Sequence, residues 1–263
     1  MIVAGFDRRD MSMLSNLFRM SLGDRFLGSA LGLIWAILSP LLLLGIFIFV
    51  FTFVFPSRLP GKAGALPFVI WLISGYGPWL AVSEGLSFAT SSGVSNAGIV
   101  KNIAFKSELL PIVGSLLGLV PLGVSLALIM VLMIANGEAP PLALLSLPVA
   151  LVLQFVFIAG VGLFLGALNV FVRDTALAIP NLLTMIMFAS PIFYPLTAYP
   201  ALAQRVLVFN PFYVIAECYR RPILDGALPH LWMLVYLTIV AALVFAGGLA
   251  WFRRLKSFFD ARL

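Results

Sequence analysis

One histidine and one cysteine are all that 263 residues offer to soft-metal or thiol chemistry. A zinc site needs three or four Cys, His or carboxylate ligands brought together, and His230 and Cys218 supply only two. HExxH, GxSxG and the Walker lysine motif are absent. The 10 acids are scattered. One of them, Glu84, falls near the end of an apolar stretch, where an ionisable group marks function by default; a solvated helix end is an equal reading, because the inner membrane surface lies within a turn or so. Two kinds of side chain remain that could act: aromatic rings, with 23 Phe, 6 Tyr and 5 Trp, and 16 Lys and Arg residues spread unevenly along the chain.

The elements that position them belong in a membrane. Apolar residues make up 62% of the chain and charged residues 10%, against about half and a quarter in a soluble domain. The apolar runs are long and continuous, so helices are the expected spanning elements, not alternating barrel strands. From Phe26 to Ser57 there are 32 uncharged residues. A bilayer core about 30 Å thick needs only roughly 20 in a helix. The surplus, residues 26–34, mixes Gly28, Ser29 and Gly32 and reads as a hinge at the inner surface. A first span follows at about 33–55, and this long stretch reads as the one around which the rest is organised. Further spans are expected at about 67–87, 109–135, 142–168, 175–195 and 229–252.

Between and before the spans the pattern changes. In residues 8–22, Met11, Leu14, Leu17, Phe18 and Leu22 recur at helical spacing with Arg8, Arg9 and Arg19 among them. This predicts an amphipathic helix lying in the membrane interface. Residues 88–107 are too polar to span and read as a cytosolic loop with a short helix around 94–104. Residues 196–228 break the apolar pattern. They read as an outer re-entrant region of two short helices, near 200–208 and 212–222, joined at Asn210-Pro211. Cys218 would there be open to a membrane-impermeant thiol reagent. Gly114 and Gly118, and Gly162 and Gly166, stand four apart as small-residue faces for close helix packing. The whole is an all-α integral membrane fold, residues 1–263 forming one transmembrane domain. No cleavable leader is visible, so the first span is expected to serve as its own insertion signal.

Orientation follows from the cations. With both termini cytosolic, the inner segments hold Arg8, Arg9, Arg19, Arg25, Lys101, Lys106, Arg173, Arg253, Arg254, Lys256 and Arg262. The outer ones hold Arg58, Lys62, Arg205, Arg220 and Arg221. That asymmetry obeys the positive-inside rule, and contact with anionic inner-leaflet lipid accounts for the net +6 without nucleic acid. The spans show none of the buried charge pairs of an ion-coupled carrier and no inverted repeat of broken helices. Energy is therefore expected from a partner, coupled through the N-terminal helix and the loop 88–107, with Arg19, Arg25, Asn96, Lys101 and Lys106 as candidates. In the first span Phe47, Phe51 and Phe55 share one helical face and Phe49 and Phe53 lie nearly opposite. One stripe reads as ordinary apolar filling or as an aromatic lining on which the C–H faces of sugar rings could slide.

The chain resembles the membrane subunits of ABC-2 type transporters, specifically the exporters of O antigen, capsule and teichoic acid. The match lies in Arg25-Phe26-Leu27-Gly28-Ser29-Ala30-Leu31-Gly32-Leu33-Ile34-Trp35 followed by Leu38-Ser39-Pro40. It continues in Asn102 to Pro111, Asn169-Val170-Phe171-Val172-Arg173-Asp174, Ser190-Pro191-Ile192-Phe193-Tyr194-Pro195 and Asn210-Pro211. These motifs occur in order over nearly the whole length. The resemblance implies six spans, an interfacial N-terminal helix and two re-entrant helices between spans five and six. It implies a homodimeric pore in the bacterial inner membrane and two copies of a separate cytosolic ATPase that carries ATP and magnesium, this chain holding no cofactor. The cargo would be undecaprenyl-linked polysaccharide, and Phe and Tyr side chains would line its path: Phe47, Phe51, Tyr76, Phe193 and Tyr194, with Trp35. An ABC-2 exporter of a drug or lipid, and a membrane enzyme or scaffold, are the alternatives at this stage.

Overall fold

The computed structural model describes residues 7–25, 27–54, 64–98 and 105–259, and among these every regular element is helical. Helix α1 (Arg8–Asp24) starts at Asp7, whose backbone N–H donates to Asp10 Oδ2 at 2.7 Å. This reciprocal cap satisfies donors that the first turn would otherwise leave open. Its apolar side, centred on Leu17, packs on Leu109, Leu110 and Val113. Between α1 and the next helix, Gly28 (φ 80°) and Gly32 (φ 52°) take left-handed backbone, which glycine adopts without the cost of a Cβ clash. The chain turns there, passes through a single 3-10 turn at Gly32–Ile34, and enters α2 (Trp35–Phe49) with a π-helical turn at Val50–Val54.

Helix α3 (Leu66–Ser95) is the hub. It packs against α4 (Leu109–Leu117), α5 (Leu119–Ala135), α6 (Leu147–Phe171), α7 (Asp174–Ala189) and α9 (Pro211–Arg220). Of its most apolar stretch 78% is buried, against 11% for Gly32–Val54. The sequence reading placed the organising role on the long uncharged run; the structure moves it to α3. Lipid tails are as apolar as Leu, so apolarity does not drive a membrane helix inward. Close packing of small residues does. A Cβ on Gly118 would overlap the Ala81 carbonyl and Gly85, one on Gly114 would lie 2.5 Å from Ala89 N, and one on Gly162 2.6 Å from Ala89 Cβ.

The loop expected at 88–107 is shorter than its polarity suggested, because α3 continues helical to Ser95. The hydroxyls of Ser87, Thr90 and Ser92 donate to the carbonyls of Ser83, Leu86 and Ala89 at 2.7, 2.6 and 2.8 Å. Polar side chains that bond back to their own helix do not end it. The short helix expected around 94–104 falls mostly outside the described residues.

Helix α10 (Leu231–Leu255) lies along α6. Among the described residues five helices are long and apolar enough to cross a membrane: Gly32–Val54, Leu66–Ser95, Leu109–Ala135, Leu142–Phe171 and Leu231–Phe258. At 16 residues, α7 is shorter. Beyond it α8 (Ala201–Leu207) and α9 are joined at Asn210-Pro211, with Asn210 Oδ1 accepting the Phe212 N–H at 2.9 Å. The inner face of α9, Ile215, Cys218 and Tyr219, is fully buried. Cys218 is thus closed to an impermeant reagent, against the sequence expectation, because its i, i+3, i+4 neighbours seat that face inside the bundle.

Candidate functional site

Four of the six aromatic candidates meet. The rings of Phe47 and Tyr76 lie edge-on at 4.9 Å; those of Tyr76 and Phe193, at 5.2 Å, and of Phe47 and Phe193, at 5.5 Å, are tilted. Phe51 extends the cluster from Phe47 (6.4 Å) to Phe68 (5.4 Å), and Phe68 leads to Trp71 (5.6 Å). These spacings are those of favourable aromatic pairs. The cluster joins α2, α3 and the turn after α7. Phe49 and Phe53 point away and are 57% and 72% exposed. The remaining two candidates are elsewhere. Trp35 precedes Phe47 by three helical turns, about 18 Å of rise, and Tyr194 is exposed.

The opposite end of the bundle carries charge. Arg25 Nη1 donates to Glu84 Oε2 at 2.8 Å, and the guanidinium lies 4.8 Å from the Phe88 ring centre. Glu84 therefore anchors the end of α1 to α3. Lys106 Nζ donates to Asp10 Oδ2 at 2.6 Å and joins the chain entering α4 to the start of α1. The Lys106 ammonium holds the Asp10 carboxyl below its ordinary value, aided by the Asp7 N–H. Asn96 is half-buried and donates to the Ser92 carbonyl at 2.9 Å. With Arg25, Asp24, Ser21 and Ser92 it borders a cavity of about 290 Å³ between α1, α3 and α4. Arg19 is exposed on the outer side of α1; Lys101 lies outside the described residues. The two patches, rings at one end and ion pairs at the other, are joined through α3.

Residues 14–224 match the family model described as ABC-2 type transporter. The chain belongs to the ABC-2 type transporter family. It is a multi-pass membrane protein and a transport subunit. It is similar to the O-antigen export system permease protein RfbA of Myxococcus xanthus, 27% identical over 234 residues and 88% of each chain. A protein of the same name in Klebsiella pneumoniae is 24% identical over 233 residues, covering 88% of this chain and 87% of the other. The polysialic acid transport protein KpsM of Escherichia coli is 25% identical over 242 residues, covering 90% and 91%.

Two charged residues of this ABC-2 chain escaped the sequence reading. Glu108 opens α4 with its side chain 1% exposed, and its Oε1 accepts from Arg253 Nε at 3.2 Å and Lys256 Nζ at 3.1 Å. Burial works to raise its pKa, but its own backbone N–H, Lys256 and Arg253 outweigh this and hold the carboxyl below its ordinary value. The charge count assigns Arg220 to the outer region; in the structure it is 3% exposed inside the bundle and pairs with Glu217 at 3.2 Å. A third buried polar link crosses the bundle centre: the Tyr219 hydroxyl donates to Gln154 Oε1 at 2.7 Å, and Gln154 Nε2 donates to the Pro78 carbonyl at 2.8 Å. The apolar run around Gln154 and the loop-like composition around Arg220 concealed these links. Glu108 and Gln154 meet partners far away in sequence, and the burial of Arg220 beside Glu217 is set by tertiary packing.

Proposed function

We propose that this chain is the membrane-spanning subunit of an ATP-driven exporter. It moves lipid-linked polysaccharide of the O-antigen kind, carried on undecaprenyl, out across the bacterial inner membrane through a pore framed by two copies. The observation that carries the reading is likeness over 88% of each chain to a permease named for O-antigen export. A protein named for polysialic acid transport adds a second glycan.

A polymer must slide, so a useful lining offers many weak contacts and few deep ones. The rings of Phe47, Phe51, Tyr76 and Phe193 offer apolar faces of that kind, with Tyr194 and Trp35 along the same route. The chain forms one transmembrane domain of six spans: the five long helices, and α7 continued through Ser190–Pro195. In this arrangement α1 lies in the inner interface, α8 and α9 re-enter from the outer face, and both termini are cytosolic. Exposed apolar side chains on α2 and α7, among them Ile46, Phe53, Leu177 and Met185, supply surface for the second copy and for lipid. ATP and magnesium belong to two copies of a separate cytosolic subunit docked near Arg19, Arg25, Asn96, Lys101 and Lys106. Arg25, Asn96 and Lys106 lie on or beside the ion-paired inner end, and Arg19 is on α1.

The test is reconstitution with the cognate ATPase in proteoliposomes that carry lipid-linked glycan on the outer, ATP-accessible leaflet. ATP should protect the glycan from an added glycosidase. A complex that moves a lipid or a drug on ATP addition while leaving the glycan exposed overturns the assignment of cargo.

A further inference from the structure

Arg220 is a cation buried among rings, aliphatic side chains and main-chain carbonyls, with Glu217 beside it. Taking a guanidinium out of water is costly unless good geometry repays it, so its contacts indicate its purpose. Nη1 donates to the Pro191 carbonyl at 3.0 Å and to Glu217 Oε1 at 3.2 Å, and Nη2 donates to the Ile192 carbonyl at 2.5 Å. The guanidinium lies over the Trp71 ring, 4.1 Å from its centre. It fits against α3 only because residue 75 is glycine: a Cβ there would overlap the guanidinium itself. Asn210, the residue that caps α9, donates from Nδ2 to Ser190 Oγ at 2.9 Å, a second tie to the start of the same turn.

We infer that Arg220 is a positioning residue, latching the Ser190–Pro195 turn to α3 and holding Phe193 against Phe47 and Tyr76. The two carbonyls it grips belong to consecutive residues just past the end of α7, and the next residue is Phe193. Arginine suits this role because its planar fork reaches two adjacent carbonyls and stacks on an indole, which a lysine ammonium does not do. A shift of α9 relative to α3 must therefore either carry the turn with it or break the latch. On the glycan-export reading, on which this last step rests, release would take Phe193 off the ring cluster and change the outer end of the path.

The test reads the position of the turn and involves neither nucleotide nor glycan, so its failure is separable from failure of the export reading. In the full-length chain in native membranes, with Cys218→Ala as background, Ile192→Cys places one thiol in the turn; Ile192 is 1% exposed. Ile215→Cys, also at a site 1% exposed, places a control thiol on α9 away from the turn. Each is treated with a membrane-impermeant maleimide. Arg220→Met should speed labelling at position 192 on the order of tenfold or more, since each charge-assisted hydrogen bond lost is a substantial part of what holds the turn. Position 215 should stay protected. Arg220→Lys should fall between. Gly75→Ala, which keeps every donor but displaces the guanidinium, should expose position 192 as well, and decides the matter alone if Arg220→Met does not accumulate. Unchanged protection at 192 overturns the latch, as does equal exposure at 192 and 215, which would mean general loosening. A lysine that protects as well as arginine overturns the two-carbonyl grip.

Discussion

The two ends of the bundle tie distant segments together with charge, in opposite surroundings. Where α1 meets α3 the side chains of Arg25 and Glu84 are 27% and 28% exposed, and those of Lys106 and Asp10 34% and 15%. At the opposite end Arg220 is 3% exposed and its partner Glu217 20%. An ion pair open to water contributes about 0–1 kcal/mol, because screening offsets the attraction and two long side chains lose freedom. Removing one member of a buried pair costs about 3–5 kcal/mol, because the other is stranded. The pairs of the α1 end can thus be exchanged for other contacts at little cost. Arg220 is held unless the helices around it move. Glu108 is intermediate, a buried carboxylate whose two cations, at 39% and 43%, reach into water.

The largest effect is expected at Arg220. Arg220→Met should remove about 3–5 kcal/mol by stranding Glu217 and two carbonyls, seen as a fall in the midpoint of thermal unfolding in detergent. Adding Glu217→Leu should recover part of the loss, since replacing both partners costs less than orphaning one. A double variant as unstable as the single one would mean that the carbonyls, not the carboxylate, are what Arg220 serves. Glu108→Gln comes next, at about 1–3 kcal/mol for charge-assisted bonds weakened to neutral ones. Its two cations reach water and can re-solvate, whereas the Pro191 and Ile192 carbonyls that Arg220 serves are buried with it. If Glu108→Gln proved as damaging as Arg220→Met, burial of the carboxylate alone would set the cost and the contrast between the ends would fail.

How far this contrast was legible in the sequence depends on what the partners are. The long apolar helices stood out because continuous hydrophobicity is a one-dimensional signal. Which of them is central did not, because lipid and protein interiors select the same residues. The signal that marks α3 as the hub is its small residues, Gly75, Gly77, Gly85, Ala81 and Ala89, and the glycines on α4 and α6 that meet them. Phe47 and Phe51 could be paired from i, i+4 spacing, whereas their approach to Tyr76 and Phe193 is tertiary. Glu108 and Arg253 are 145 residues apart. Arg220 is harder still to see, since a carbonyl leaves no mark in a sequence. What did mark the site was the run Ser190–Pro195 with Asn210-Pro211, read as a family resemblance. In the fold the two motifs have a physical role: the first is the turn whose carbonyls Arg220 binds, and Asn210 of the second bonds Ser190 at its start.

Where α1 meets α3 the expected effects on stability are smaller and those on assembly larger. Glu84→Gln should cost about 0–1 kcal/mol in the same melt. Co-purification of the ATPase subunit should nevertheless fall, because the end of α1 loses its tether to α3. Normal association in this variant would remove Arg25 from the coupling surface.

The smallest effect on stability is expected at Asp10 and Lys106, and pH gives it a sign. The folded Asp10 carboxyl lies below its ordinary value of 3.8. Its contribution is therefore fully present above that value and is lost as pH falls below it. Between pH 5 and 8 the Asp10→Asn variant should melt slightly below the parent by a constant margin, and the two curves should converge as the pH drops under about 4. Raising salt should shrink the same margin at neutral pH, since a pair this open to water is screened. The exchange Asp10→Lys with Lys106→Asp should restore the pairing, although it puts a cation in the first turn of α1, where the helix dipole disfavours it. A margin that persists at low pH, or that high salt leaves untouched, would assign Asp10 to helix capping through the Asp7 N–H and not to the tie between α1 and the chain entering α4. That end would then be held by Arg25 and Glu108.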